Sequence, residues 1–366
     1  MKLADLPQRL LLGPGPSSVA AAVLQSLALP VIGHLDPAFL AVVDDVQKRL
    51  AELFRCSAGL SIPISATGSG GMETCLANLL EPGDRALVAV QGVFGERMHS
   101  IVERIGARPI RVEAEMGRAI PPEQLVAAIR SEQPDLVALV HAETSTGVAQ
   151  PVAEAARAAR EQGALVVLDC VTSLAGMDVR FDDWAIDAAY SGTQKCLACP
   201  PGLSPIAIGP RAFERLARRT RPVPSWYFDL SLLGRYYGSE RVYHHTAPVS
   251  MIFALHTALE RALGEGLEVR FERHRRAHAQ LVEGLEGLGF HMLVEPEHRL
   301  PMLNAVIPPY ADEARARREL LDRFGIEVGG GLGKLAGRIW RIGLMGENAR
   351  PEVVDRLLDA LGQLSR

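Results

Sequence analysis

The sequence predicts an α/β fold with a mostly parallel sheet covered by helices on both faces, and a smaller second domain. From about residue 70 to about residue 210, short apolar runs alternate with helix-like stretches. Strands that are apolar throughout are typical of parallel sheets, because such strands are buried on both faces. A length of 366 residues exceeds an ordinary single domain, which favours the second unit.

The sheet and its helices are predicted from the spacing of the apolar residues. The expected strands are, in chain order, residues 86–90, 110–112, 136–141, 165–169, 188–191 and 205–208. The expected helices between them are residues 71–80, 95–105, 122–131 and 152–162. Helix-stop signals, Glu-Pro-Gly-Asp at 81–84 and Glu-Gln-Gly at 161–163, support two of these helix ends.

Beyond residue 265 the strict alternation is lost, which predicts a smaller α+β domain. A long charged helix is expected at 267–288, strands at 303–307 and 339–342, and a last helix at 351–364. We therefore predict an N-terminal arm at 1–15, a large domain at 16–265 and a small C-terminal domain at 266–366.

Composition narrows the class of partner and the compartment. Apolar residues make up 48% and charged residues 22% of the chain, and the net charge of −4 gives no electrostatic reason to expect nucleic acid or anionic membrane. The chain start does not have the pattern of a signal peptide, and no apolar run approaches the roughly 18 residues that cross a bilayer. With an odd number of cysteines, five, we expect reduced thiols in the cytoplasm.

Ligands of open α/β sheets bind beyond the carboxyl ends of the strands, so the residues there are the first candidates for a site. The loop SATGSGGMET (65–74) runs into a predicted helix, and its small residues and free N–H groups suit a phosphate. It is neither a Walker A loop nor a complete Gly-x-Gly-x-x-Gly motif. Taken alone, the loop fits a helix entry without a ligand equally well.

Two ionisable residues, Asp169 and Lys195, complete a pattern with this loop. Asp169 ends an apolar strand, where a carboxylate is costly unless it is paired, although a helix cap or a structural ion pair would also explain it. Lys195 lies among small and apolar residues, and a desolvated lysine becomes nucleophilic, although a lone lysine is more often on the surface. The loop, the acid and the lysine, in this order, together predict a site for pyridoxal phosphate. The lysine would bond the aldehyde, the acid would hold the ring nitrogen protonated, and the loop would bind the phosphate.

The motifs of the chain resemble one known family over nearly its whole length. The similar segments include LLGPGPS (11–17), HAETSTGV (141–148), VVLDCVTSLAG (166–176) and YSGTQKCLACPPG (190–202). The last one, whose Lys195 comes 26 residues after the strand-end Asp169, is the most specific. The chain thus resembles the class V aminotransferases, of fold-type I among pyridoxal-phosphate enzymes, and most of all their alanine–glyoxylate branch.

The resemblance implies a role for each residue of a cofactor site. Lys195 matches the lysine that bonds the cofactor, Asp169 the partner of the ring nitrogen, and Thr144 a hydroxyl near the phenolic oxygen. The ring would lie between the side chains of Val171 and Phe94. The phosphate would meet the loop at Ser69 and Gly70, with the amide of Gln194 close by. Gly71 stands beside that loop where eukaryotic relatives have histidine.

The resemblance also implies residues from a second subunit and residues for the substrate. Tyr243 and Thr246 match residues that reach the phosphate from the neighbouring chain, which implies a homodimer with shared active sites. Arg341 matches the arginine that grips the substrate α-carboxylate, a task that suits a planar guanidinium. Gly13 would lie near the substrate. From the sequence alone Arg341 also fits a solvated position on an amphipathic strand.

The expected activity is a ping-pong transamination between amino-acid and keto-acid substrates, with alanine as donor and glyoxylate as acceptor. Serine–glyoxylate, serine–pyruvate, ureidoglycine–glyoxylate and aminoethylphosphonate enzymes share the scaffold, and alanine and serine differ by only one hydroxyl. A cysteine desulfurase is disfavoured, because all the cysteines precede residue 200 and Phe94 cannot exchange protons. The alternative of another class is a non-catalytic nucleotide-binding protein. No metal site is expected, including at the Cys196 and Cys199 pair.

Overall fold

The computed structural model describes residue 2 and residues 5–364, so a few residues of the predicted N-terminal arm and of the predicted small domain lie outside the described residues. The helices are α1 Ala21–Leu27, α2 Pro37–Phe54, α3 Gly68–Leu79, α4 Val93–Ile105, α5 Pro122–Glu132, α6 Ala153–Glu161, α7 Pro210–Ala217, α8 Leu230–Tyr237, α9 Val249–Glu265, α10 Leu267–Gly287, α11 Glu313–Phe324 and α12 Pro351–Gly362. None of the described helices is long and apolar enough to cross a bilayer.

The strands are β1 Leu10–Leu11, β2 Leu60–Ile64, β3 Arg85–Val90, β4 Arg108–Glu113, β5 Leu136–Val140, β6 Ala142–Glu143, β7 Val148–Ala149, β8 Leu165–Asp169, β9 Ala188–Tyr190, β10 Ser204–Ile208, β11 His291–Met292, β12 Leu303–Ile307, β13 Ile326–Glu327, β14 Gly329–Gly330 and β15 Trp340–Gly343. Among the described residues, seven of them form the main sheet in the order β2-β10-β9-β8-β5-β3-β4. Neighbours from β9 to β4 are parallel, and β10 is antiparallel to both of its neighbours.

This architecture confirms the predicted fold class, a mostly parallel sheet within an α/β fold. Each of the six expected strands of the main sheet occurs within two residues of its predicted bounds. The sequence pattern missed β2, whose central Pro63 breaks the usual strand signal. Proline is tolerated there because β2 is an edge strand, where one row of backbone groups needs no partner.

A second sheet and a second apolar cluster lie in the C-terminal part of the chain. The antiparallel sheet has the order β11-β12-β15-β14, and its core side chains include Trp340 and Ile342. The N-terminal arm belongs with this part, because β1 pairs with β13 in parallel and Leu12 joins the same cluster. The domain boundary near residue 265 stays a prediction, although α9 ends at Glu265 and α10 begins two residues later.

Candidate active site

A cleft lies at the carboxyl ends of β5 and β8, facing the N-terminus of α3. Seven of the residues expected at the site line it: Ser69, Phe94, Thr144, Asp169, Val171, Gln194 and Lys195. Six further residues line it that the sequence did not single out: Thr67, Gly68, Met72, Arg97, Ala142 and Thr172.

Asp169 closes β8 with its carboxyl group buried and held by two donors. The N–H of Val171 donates to Oδ1 at 2.9 Å, and the hydroxyl of Tyr190 donates to Oδ2 at 2.8 Å. Burial raises the pKa of Asp169 to about 7, while the two hydrogen bonds oppose that rise. Tyr190 reaches this carboxyl group because β8 and β9 pair with Asp169 opposite Tyr190. The carboxylate is therefore fixed in orientation and suited to a cationic partner.

Lys195 follows β9 and is only 9% exposed. The Nζ atom donates to the backbone oxygen of Pro14, so the N-terminal arm closes over the amine. Burial, and then the nearby guanidinium of Arg341, lowers the pKa of Lys195 to about 8. The chain has four lysines in all, and the other three, Lys2, Lys48 and Lys334, are exposed. A desolvated amine with a lowered pKa is a nucleophile and a proton carrier near neutral pH.

The arm approaches Lys195 so closely that a glycine is required at one position. Gly15 has φ +109°, and a Cβ atom there would lie 2.8 Å from Nζ of Lys195. The same segment is fastened below the lysine, because the Ser17 hydroxyl donates to the backbone oxygen of Lys195 at 2.7 Å. Because few residues other than glycine adopt this backbone conformation, and because the glycine lies against the amine, the arm is part of the site.

The phosphate-binding loop leads into α3, which begins at Gly68, three residues earlier than the sequence predicted. The backbone of Gly68 packs on Val171, and a Cβ there would lie 3.0 Å from Cγ2 of Val171. No described group accepts a hydrogen bond from the N–H of Gly68 or Ser69, as is usual for the first turn of a helix. Two N–H groups at the helix start, where the dipole is positive, are thus available to an anion.

The other two glycines of the loop are placed differently. The N–H groups of Gly70 and Gly71 already donate to the oxygen of Thr67, at 2.8 and 3.4 Å. A Cβ at Gly71 would collide with the Ser204 hydroxyl, because this part of α3 lies against the sheet. Neither glycine lines the cleft, and their contact with a phosphate stays a prediction. Gly68 and Ser69, which line the cleft with free N–H groups, are better placed to bind a phosphate.

Gln194 provides an independent sign that the cleft accepts a polar ligand. Its Oε1 atom is buried and has no hydrogen-bond partner among the described residues, although the residue lines the cleft. Buried polar groups are rarely left unpaired, so such a group calls for a missing partner. The free N–H groups of α3, the buried Lys195 and the fixed Asp169 fit pyridoxal phosphate, and the amide NH₂ of Gln194 is a further donor at the cleft.

Phe94 enters the cleft from the start of α4 and is held there by a buried carboxyl group. Oε2 of Glu143 accepts from the N–H of Phe94 at 3.1 Å, and Oε1 accepts from the Ser145 N–H and hydroxyl at 3.0 and 2.6 Å. Burial raises the pKa of Glu143, and these hydrogen bonds oppose the rise. Glu143 therefore caps α4 and fixes the backbone that carries the aromatic ring.

Arg341 lies on β15 with its guanidinium directed at the backbone of Thr144, on the opposite face of the strand from Trp340 and Ile342. Its Nε donates to the oxygen of Gly330 at 2.7 Å, and Nη1 donates to the oxygen of Thr144 at 3.3 Å. Burial lowers the pKa of Arg341, and the nearby Glu143 opposes the shift. Arg341 does not line the cleft itself, but its charge acts on Lys195.

Gly13 lies in the same neighbourhood but also outside the cleft. A Cβ there would be 3.7 Å from the N atom of Gly329, next to β14. The preceding Leu12 accepts from the N–H of Gly343 at 2.8 Å, at the end of β15. The arm is thus fixed beside the strand that carries Arg341, and contact of Gly13 with a substrate stays a prediction.

Tyr243 and Thr246 are not brought to the cleft of this chain. Both are exposed, Tyr243 at 57%, and Tyr243 contacts His34 with ring centres 5.4 Å apart. They belong to an exposed aromatic surface that also includes Trp226 and Tyr227. In a single chain these residues therefore have no role in the site, and their predicted role requires a second chain.

The fold, the buried lysine and the strand-end carboxylate define a pyridoxal-phosphate enzyme of fold-type I. The sequence pattern of the aminotransferase class-V family matches residues 25–344, and the chain belongs to that family. An (S)-ureidoglycine–glyoxylate transaminase from Bacillus subtilis is 38% identical, over 95% of this chain and 88% of that protein. The alanine–glyoxylate aminotransferase of Mus musculus is also 38% identical, over 98% of this chain and 88% of its own length.

A solved structure agrees with these sequence comparisons. The alanine–glyoxylate aminotransferase of Nostoc sp. superposes with a TM-score of 0.98 and 46% identity, covering 100% of this chain and 97% of that one. The family match confirms the predicted resemblance, and with it the cofactor, pyridoxal phosphate. The chain is therefore an aminotransferase, and its substrates are an amino acid and a keto acid.

Sequence reasoning missed several residues that shape the cleft. Tyr190 was quoted as the start of a motif, but its bond to Asp169 depends on the register between two strands. Pro14 meets Lys195 across the N-terminal arm, a contact between residues far apart in sequence. Arg97 is an exposed arginine on a helix, and the sequence alone does not distinguish it from the other exposed arginines of the chain. The helical spacing from Phe94 to Arg97 is the one signal that was available.

Proposed function

We propose that this enzyme transfers the amino group of L-alanine to glyoxylate, which gives pyruvate and glycine. The observation that carries the proposal is the buried Lys195, with a lowered pKa, in one cleft with Asp169. Glyoxylate is favoured as acceptor because relatives of two different donor specificities both carry glyoxylate in their names. Alanine is favoured as donor by the motif resemblance and by the alanine–glyoxylate name of the 46% identical Nostoc protein.

Lys195 and Asp169 have separate chemical tasks in this proposal. Pyridoxal phosphate, when bound, supplies an aldehyde for the lysine and a ring that accepts an electron pair. Lys195 provides the amine that bonds the aldehyde, and once freed by the substrate it removes and returns a proton at Nζ. Its pKa of about 8 makes an appreciable fraction of the amine neutral near pH 7, as a proton acceptor must be.

In this proposal, Asp169 stays ionised because it faces the protonated ring nitrogen of the cofactor. Its pKa of about 7 applies to the cofactor-free chain, and a cation on a ring nitrogen would favour the carboxylate and lower that value. Tyr190 and the Val171 N–H hold the two oxygens in place, so the carboxylate is oriented before the ring arrives. The carboxylate therefore holds a proton on the ring nitrogen, where it supports charge that develops during the reaction.

Arg341 is the proposed anchor for the carboxylate that alanine, pyruvate, glycine and glyoxylate all share. Its Nη2 atom makes no hydrogen bond with any described residue, so it remains available for a ligand oxygen. A guanidinium binds a carboxylate with two parallel bonds, which fixes the direction of a small substrate. The cost of placing the charge here is partly offset by the nearby Glu143.

We further propose a homodimer in which Tyr243 and Thr246 of each chain complete the site of the other. The exposed aromatic surface around Tyr243 supports this, since large aromatic side chains exposed together are typical of interfaces. The cytoplasmic location stays a prediction, since no observation on the described residues bears on it.

The second candidate is a ureidoglycine–glyoxylate transaminase, because the Bacillus relative with that name is as similar in sequence as the mammalian alanine enzymes. Serine remains a third possible donor, as a hydroxyl is weakly discriminated in a small pocket. A cysteine desulfurase is not supported, because all five thiols are buried. Burial raises the pKa of each thiol, which makes it a poor nucleophile.

The test is a panel of amino donors assayed with glyoxylate, with the purified enzyme saturated with cofactor. Alanine, serine, ureidoglycine and 2-aminoethylphosphonate are compared by kcat/KM, with glycine formation measured in each case. The proposal predicts alanine as the best donor. A kcat/KM for ureidoglycine at least ten times that for alanine would transfer the assignment to the second candidate, since such a ratio corresponds to about 1.4 kcal/mol of transition-state binding.

A further inference from the structure

We propose that Arg97 is the cation with which this chain binds the cofactor's phosphate, an inference that rests on the proposed function only for its use of pyridoxal phosphate. Arg97 lies on α4 and lines the cleft, although it matches none of the expected site residues. The guanidinium contacts the two features that the cofactor's phosphate and ring are expected to meet, namely Ser69 and Phe94.

The position of Arg97 is set by two contacts. Nη1 donates to the hydroxyl oxygen of Ser69 at 2.8 Å, at the start of α3. The guanidinium carbon lies 4.8 Å from the centre of the Phe94 ring, at cation–π distance. Because α4 places Phe94 and Arg97 three residues apart, both side chains lie on one face of the helix. The helix therefore presents an aromatic ring and a guanidinium to the same cleft.

The charge of Arg97 has no ion-pair partner among the described residues. The adjacent carboxylate, Glu96, is instead held by both terminal nitrogens of Arg111, at 2.7 and 2.5 Å. A guanidinium carries five N–H donors, of which one binds Ser69. The remaining donors are available to an anion beside that hydroxyl.

The other groups expected around the phosphate are neutral. They are the N–H groups of Gly68 and Ser69, the Ser69 hydroxyl and the amide of Gln194. A phosphate monoester carries close to two negative charges near pH 7, and hydrogen bonds from a cation are about twice as strong as those from neutral donors. Apart from Arg97, the charged residues of the cleft lining are Asp169 and Lys195, which are committed to the ring nitrogen and the aldehyde. Arg97 is therefore this chain's source of positive charge for the phosphate.

The experiment compares two ligands that differ only in the phosphate. Pyridoxal phosphate and pyridoxal are titrated into cofactor-free wild type and Arg97→Gln, with binding followed by visible absorbance at several salt concentrations. We expect Arg97→Gln to raise the Kd for pyridoxal phosphate about tenfold, the loss of one charge-assisted interaction, and to flatten its salt dependence. The Kd for pyridoxal should change less than twofold. Arg104→Gln, the same substitution at an exposed position of α4, is the matched control.

Three outcomes would overturn the inference, and a fourth would contradict only the proposed donor. Equal weakening of both ligands would show that Arg97 acts only by packing on Phe94, and unchanged affinity for both would show that it does neither. A wild type that binds pyridoxal phosphate but does not transaminate alanine would contradict the proposed donor and leave the Arg97 result valid. A wild type that binds no pyridoxal phosphate would contradict both.

Discussion

The strand-end pair Asp169 and Lys195 and the exposed pair Tyr243 and Thr246 were both expected at one active site, yet their surroundings differ completely. The first two are almost fully buried, with named partners for each polar atom and large pKa shifts. The second two are exposed and lie outside the cleft. One chain therefore fixes the geometry of the first pair, while the role predicted for the second pair depends on a second chain.

The physical cause of the difference is the cost of burial. A buried carboxyl or amine must be paired, so the fold supplies Tyr190 to Asp169 and Pro14 to Lys195, and these contacts fix both side chains. An exposed tyrosine has no such requirement, and its geometry is set only on association. Substitutions in the two regions should therefore have different consequences in kind as well as in size.

Replacement of Lys195 should have the largest effect. We expect Lys195→Ala to lower kcat at least about 1,000-fold, because the amine is both nucleophile and proton carrier. The visible absorbance of the bound cofactor should also be lost. Lys334→Ala, which removes an exposed lysine, is the control and should behave as wild type. Normal turnover in Lys195→Ala would refute the role of the buried region.

Replacement of Tyr243 tests the exposed region. We expect Tyr243→Ala to raise the Kd for pyridoxal phosphate about tenfold, through the loss of a hydrogen bond to phosphate, while the stability of the chain changes little. Val242→Ala, at a neighbouring exposed position, is the control.

Mixed dimers then decide which chain the tyrosine serves. When Lys195→Ala and Tyr243→Ala chains are mixed at limiting cofactor, each hybrid dimer has one site with both native residues. Activity should rise toward about a quarter of the wild-type value per chain, as random pairing requires. No recovery on mixing would show that Tyr243 does not act across an interface.

The hydrogen bond from Tyr190 to Asp169 tests whether this partner also controls the pKa of the buried carboxyl group. Tyr190→Phe removes a bond that opposes the raised pKa of Asp169, so that pKa should rise further. Because the carboxylate is the form that receives a cationic ring, the Kd for pyridoxal phosphate should rise about fivefold near pH 7 and recover as the pH increases. The measurement is the pH profile of that Kd, starting from the cofactor-free chain. A uniform loss at every pH would indicate a packing defect instead.

Acid stability tests the same cost of burial at a histidine outside the cleft. His274 donates from Nδ1 to the Arg270 oxygen at 2.8 Å and accepts at Nε2 from the Gly346 N–H at 3.2 Å, so it must be neutral. Burial lowers the pKa of His274 to about 3, whereas a histidine in the unfolded chain has a pKa of about 6.5. The stabilisation is therefore complete above about pH 6.5 and is lost as the pH falls toward about 3, at about 1.4 kcal/mol per pH unit.

His274→Gln should lower this slope of the free energy of unfolding against pH, because glutamine offers a donor and an acceptor but does not titrate. Urea unfolding at a series of pH values between about 7 and about 4 is the measurement. The exposed His291 supplies the control, His291→Gln, which should keep the wild-type slope. An unchanged slope in His274→Gln would mean that this histidine is already charged in the folded chain.

The sequence predicted those parts of the fold and site that depend on local pattern. Apolar runs identified the parallel strands, and Asp169 and Lys195 followed from their position at strand ends. The start of α3 at Gly68 was missed because glycine and serine are weak helix formers. Tyr190 and Pro14 were missed because their contacts depend on strand register and on the path of the arm, which no local pattern records.

The central claim is that the one buried lysine among four bonds the cofactor, and a single labelling measurement tests it. The purified enzyme is reduced with borohydride in the presence of pyridoxal phosphate, digested with trypsin and analysed by mass spectrometry. The account predicts one labelled peptide, residues 181–211, uncut at Lys195 because trypsin does not cleave after a modified lysine. Label on Lys2, Lys48 or Lys334 with residues 181–195 released unmodified would contradict it.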